Sequence, residues 1–248
     1  MNELDFGTKR LPALLCGSSP FMGAGQFGPK GLEWYQHFFN HPNRMSELFS
    51  YFCELGFPGA QVIGYSTIVE AARQSQQQHS MKVAVSLLPE DWMQNLRDVQ
   101  VLEPEVIFVH GAMTDEFLLN RGDELVACCD AIREVGAFPG ISTHNPYETL
   151  THILSDSSHF GSESIGLLLP LNPKGWGLGA EISAISKLVM QLDQRNPIMA
   201  MKVLAAGRIQ PEEALSWLYE TVNPTIAAIG VTNKEEAQEL ASTVNNLL

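Results

Sequence analysis

Four residues of this chain could do acid–base or nucleophilic chemistry at one place: His110, His144, Lys202 and Tyr65. His110 ends the apolar run EVIFVH, and His144 closes the segment AFPGISTH. Imidazoles titrate near neutral pH and suit proton transfer. Lys202 stands near the end of PIMAMKVL. If desolvated, its amine would lose affinity for its proton and become a nucleophile or base able to form a Schiff base. The plain alternative is a lysine whose stem packs while its ammonium reaches water or an anion. Tyr65 follows GAQVIG; untuned, a phenol with a pKa of about 10 is a poor acid at neutral pH. A second group reads as an anion site: Arg208, with Thr232, Asn233 and Lys234 at the start of the last helix. Free N–H groups and the dipole there favour phosphate or carboxylate; the plain alternative is simple capping by Thr232. A metal would need a third ligand beside the two histidines, with Asp115 nearest in sequence. No H-x-H or H-E-x-x-H motif is present, so no metal site is assigned. His37, His41, His79, His152 and His159 fall in loops or helices and read as surface residues.

These groups need elements to hold them. Strand-like runs occur at Leu11–Cys16, Ala60–Ile63, Met81–Leu87, Glu105–His110, Ala137–Ser142, Ser164–Pro170, Pro197–Leu204 and Thr225–Gly230, with helical patterns between them. Met45, Leu48, Phe49 and Phe52, for example, recur at helical spacing. Thr114 is expected to cap one long helix ending at Gly136. Pro211, Glu212 and Glu213 open another, and Thr232 with Glu235 forms a capping box for the last. Eight alternations imply a parallel sheet covered by helices. With 248 residues, close to the roughly 250 typical of that fold, the chain is read as α/β, a single (β/α)8 TIM barrel spanning residues 1–248. Its first βα loop, Gly17–Asn43, is long, carries Phe21, Phe27, Trp34 and Tyr35, and suits a lid. Gly23, Gly25 and Gly28 spell G-x-G-x-x-G. They do not directly follow the strand, and Pro29 and Gly31 oppose a regular helix, so the dinucleotide fingerprint is set aside. In a TIM barrel, function sits at the C-terminal strand ends, and a phosphate site often follows strands seven and eight.

Composition narrows the partners. A net charge of −13 argues against nucleic acid and anionic membranes, leaving a small anionic molecule as the expected partner and the oligomeric state open. Cys16, Cys53, Cys128 and Cys129 form no C-x-x-C pair and read as reduced thiols. The start MNELDFGTKR has no apolar signal region, and no run nears the roughly 18 apolar residues of a membrane span, so a cytoplasmic location is expected.

Several segments together resemble the aldo-keto reductases, NADP-dependent (β/α)8 barrels. EVIFVHG resembles the strand that carries their active-site histidine, matching His110. AFPGISTHNPYETL resembles their fifth strand, and KVLAAGRIQPEEAL and AIGVTNKEEAQEL resemble their last two units. The resemblance implies NADP as cofactor, with Arg208, Asn233 and Lys234 on its phosphates. It also implies an Asp and a Tyr around strand two and a Lys on strand three. Here strand two offers Gln61 at the nearest spacing and Tyr65 out of register, and strand three has Val85 or Ser86 where the Lys would stand. Two functional readings follow. One is an enzyme acting on a small anionic or phosphorylated carbonyl compound by acid–base or Schiff-base, lyase- or isomerase-like chemistry. The other is a divergent reductase-like protein that binds NADP(H), as a weak oxidoreductase or a non-catalytic binder.

Overall fold

The computed structural model describes residues 3–155, 159–160, 162–192, 195–222 and 225–248. The chain begins with an antiparallel hairpin, β1 (Glu3–Phe6) and β2 (Lys9–Pro12), and then enters β3 (Leu14–Gly17). Two short 3-10 turns, Ser19–Met22 and Gly25–Phe27, lead to α1 (Pro29–Phe38) and α2 (Pro42–Glu54). Strands and helices then alternate: β4 (Gly59–Ile63), α3 (Ser66–Gln76), β5 (Lys82–Ser86), α4 (Trp92–Val99), β6 (Val106–Val109), α5 (Gly111–Asn120) and α6 (Gly122–Glu134). They continue with β7 (Phe138–Ser142), α7 (Pro146–Ile153), β8 (Gly166–Pro170), α8 (Ile182–Val189), β9 (Ile198–Met201), α9 (Pro211–Thr221), β10 (Ile226–Gly230) and α10 (Lys234–Leu247).

Among the described residues, β3 to β10 close into a parallel barrel, β10 pairing with β3. The strands are short apolar runs because both faces are buried, one against the helices and one inside the barrel. Leu15, Ala84, Val106, Phe108, Phe138, Leu168, Met199, Ile226 and Ala228 fill the interior. The hairpin plugs its lower end with Phe6 and Leu11. The Phe6 ring meets Phe108 and Phe138 edge-on at 6.0 and 5.9 Å. Gly166 makes the room: a Cβ there would stand 2.4 Å from the Phe6 ring.

Four local expectations change. The run Leu11–Cys16 belongs to two strands, the end of the plug and the start of the barrel. Pro29 opens α1 instead of preventing it, because the first helical position needs no N–H donor. The long helix breaks at Arg121 into α5 and α6; His110, not Thr114, is the residue that caps α5. The N-cap of α10 is Asn233, not Thr232: its Oδ1 accepts the Glu236 N–H, and the Glu236 carboxylate reaches past it to the Thr232 N–H. The long first loop is packed, with Phe21 buried against Phe38 and Phe49. The apolar faces of the outer helices pack against the barrel as their spacing predicts, Leu48, Phe49 and Phe52 among them.

Candidate functional site

His110 and His144 end neighbouring strands, and their ring centroids stand 6.0 Å apart at the C-terminal rim. His110 caps α5: its Nδ1 accepts the N–H of Ala112 at 3.1 Å. In the neutral ring the proton therefore sits on Nε2, which is left as a donor. Burial, reinforced by the neighbouring His144, holds the imidazole below its ordinary pKa. His144 is fixed differently. Its Nδ1 lies 3.0 Å from Asp115 Oδ2, and its backbone N–H donates to the same oxygen at 3.1 Å. The Thr143 hydroxyl donates to Asp115 Oδ1 at 2.6 Å and accepts from the Thr149 hydroxyl and the Asn145 N–H. Burial pushes the Asp115 carboxyl up, but hydrogen bonds from His144 and Thr143 and the His144 charge outweigh it and hold the group below the usual carboxylate range. A carboxylate on Nδ1 leaves His144 Nε2 free as a base. Gly111 lets the two units close: a Cβ there would stand 2.7 Å from His144 Cε1.

Tyr65 does not join them by contact; its ring packs edge-on against Phe39, with centroids at 5.5 Å. Beside it, Gln61 Nε2 donates to Ser86 Oγ at 3.0 Å, both buried. A neutral amide–hydroxyl pair thus stands at the two positions where the reductase resemblance leads one to look for an Asp and a Lys.

A cavity of about 730 Å³ opens on the other side of the rim, over the ends of β3, β9 and β10. Gly25 to Lys30 and Trp34 of the first loop wall it. Lys202, Arg208 and Thr232 line it, whereas His110, His144, Tyr65, Asn233 and Lys234 do not. Lys202 is half-buried just beyond β9 with a left-handed backbone, φ 56°, and Ala205, Ala206 and Gly207 follow at 47, 56 and 80°. Such runs of strained backbone cluster at functional sites. Burial pulls the Lys202 pKa down, and the charge of Asp115 opposes it.

The expected anion site is rearranged. Asn233 Oδ1 accepts the Glu236 N–H at 2.9 Å. Glu236 Oε2 in turn accepts from the Thr232 N–H at 2.7 Å and the Thr232 hydroxyl at 3.1 Å. The start of α10 therefore already holds a carboxylate. Lys234 turns to the Tyr51 ring, 5.0 Å from its centroid. Arg208 donates to the Ala205 carbonyl at 2.9 Å and lies over the Trp176 ring at 4.8 Å. Lys30, Glu236 and Glu239 also line the cavity and were not foreseen. His152 is not a simple surface residue: its Nε2 is buried and unpartnered among the described residues, and its ring stacks on His159 at 5.0 Å. Among the described residues, no three His, Cys, Asp or Glu gather as metal ligands, and no helix is long and apolar enough to cross a membrane.

No family model and no curated protein sequence matches the chain. Solved structures do. An aldo-keto reductase from Brucella melitensis superposes with a TM-score of 0.63 at 12% identity, covering 96% of this chain and 91% of its own. The holo form of a Bacillus halodurans aldo-keto reductase matches at 0.63 and 12%, covering 98% and 91%. An aldo-keto reductase from Klebsiella pneumoniae in complex with NADPH matches at 0.62 and 14%, covering 100% and 90%. The chain has the fold of these reductases over nearly its whole length.

Proposed function

We propose that the protein binds a nicotinamide dinucleotide in the rim cavity and exchanges hydride with a small carbonyl compound held between Lys202 and the two histidines. The observation that carries this reading is the place of the cavity, over the C-terminal ends of the first, seventh and eighth barrel strands, with Lys202 and Arg208 in its wall. The residues fit the group in size and charge. About 730 Å³ lies inside the range of roughly 300–1,000 Å³ for cofactor and ligand sites. Lys30 and Arg208 offer cations for a pyrophosphate. The fold shared with reductases, one of them in complex with NADPH, supports the same reading. When bound, the nicotinamide supplies or takes up hydride.

The chain's own residues do the rest. His144, held by Asp115 through Nδ1, gives or takes the carbonyl proton at Nε2. His110 stays neutral near pH 7 and offers Nε2–H to the carbonyl oxygen. Lys202 adds positive charge where an anionic substrate would sit. This assignment gives the proton-transfer role to His144 in place of Tyr65, because His144 has a carboxylate partner at Nδ1 whereas the Tyr65 ring packs against Phe39. The test is a titration of purified protein with NADH and NADPH, followed by nicotinamide fluorescence. Micromolar binding supports the proposal, and no binding at millimolar nucleotide ends it.

One observation favours a second reading. Lys202 lines the cavity and has no ion-pair partner within contact distance among the described residues, and burial lowers its pKa. Its neutral amine could add to a carbonyl carbon and, with loss of water, form a Schiff base. Borohydride trapping with small keto and aldehyde compounds tests this: a labelled Lys202 supports it, and unmodified protein refutes it.

A further inference from the structure

We infer that Glu236 and Glu239 make the peripheral end of this cavity a receptor for an unphosphorylated ribose diol, so that the protein takes NAD(H) in preference to NADP(H). The inference rests on the dinucleotide reading above and deepens it. The cavity has two ends. Gln61, Met201, Lys202 and Ala228 lie toward the barrel axis, Ala228 and Met201 packing with the barrel interior. Glu236, Glu239 and Leu240 lie on α10, in the outer helix layer. A nicotinamide must reach the axial end to meet the acid–base groups, so the adenosine half extends to the peripheral end.

Two carboxylates border that end. Glu236 occupies the N–H and hydroxyl of Thr232 at 2.7 and 3.1 Å, the donors that would otherwise hold a phosphate. A 2′-phosphate would have to displace this carboxylate and then face Glu239. Lys234, the cation nearest in sequence, is turned away onto Tyr51. A free diol instead donates hydrogen bonds to carboxylates, the general chemistry by which an acidic residue selects an unphosphorylated ribose. Like charges brought together across an interface disfavour the wrong partner, and specific sites use such repulsion alongside attraction to the right one.

The experiment is a fluorescence titration of the full chain with NADH and with NADPH at one fixed ionic strength, for the wild type and for E236Q, E239Q and E236Q/E239Q. The wild type should bind NADH at least about tenfold more tightly than NADPH, the size expected of one like-charge contact at a partly exposed site. Both single variants should narrow the ratio and the double variant should bring it close to parity. E239Q keeps the test open should E236Q loosen the start of α10. A wild type that binds NADPH as tightly as NADH, or a ratio unmoved in the double variant, overturns this inference alone. Failure of both nucleotides to bind overturns it together with the dinucleotide reading.

Discussion

Substituting Gly111 by alanine should unlatch His144. The added Cβ would stand 2.7 Å from Cε1 and 2.9 Å from Nδ1 of the imidazole. Carbon atoms settle at about 3.5–4.0 Å, so the ring must retreat by roughly 0.8 Å. That motion stretches the 3.0 Å bond from Nδ1 to Asp115 beyond useful hydrogen-bond range. A hydrogen bond to a charged group is worth about 1.5–3 kcal/mol. Alanine in place of glycine in a helix returns at most about 1 kcal/mol. The ring is half exposed, and solvent screening places the loss at the lower end, so Gly111→Ala should be less stable by about 0.5–1 kcal/mol. Urea unfolding measures that difference, and nitrogen-resolved NMR of the imidazole reads whether the Nδ1–H form persists. A variant that is more stable than wild type, with the His144 ring signals unmoved, would refute the latch.

Asp115→Asn removes the charge that raises the proton affinity of both His110 and Lys202, so both groups should titrate lower than in wild type; NMR titration of the ring and amine signals checks this. Phe6→Ala empties the barrel plug and should cost about 3–5 kcal/mol, read as a fall in the urea midpoint at constant m. Folding stability should also fall with acid in a defined window. The folded His110 binds its proton less readily than the unfolded side chain with its pKa of 6.5. Its contribution is therefore present above pH 6.5 and lost as pH drops through the lower folded value. His110→Asn should flatten that part of a urea-midpoint profile between pH 8 and 5.

The barrel was legible because each strand is a short apolar run bounded by turn residues, and the spacing repeats eight times. The hairpin was not, since Leu11 and Leu14 to Cys16 are all buried and read as one run although they serve two strands. Periodicity cannot mark a chain reversal between two buried segments. His110 and His144 were found by the rule that barrel chemistry sits at strand ends. The role of Asp115 was hidden, because it lies in the second turn of α5 and reaches a residue 29 positions away. Lys202 was visible as the lone cation of its strand, but its left-handed backbone was not. Glu236 shows the opposite limit. A helix-start glutamate has a sufficient local explanation in capping, and only the folded chain shows that it also lines the cavity.

The central claim is that the rim cavity over β3, β9 and β10 holds the dinucleotide. It is tested most directly by following the backbone amides of isotopically labelled protein during addition of NADH. Saturable shifts at micromolar nucleotide, centred on Gly17, Lys202, Gly207, Gly230 and Thr232, are the predicted result. A spectrum unchanged at millimolar NADH, or shifts confined to residues away from this cavity, would contradict it.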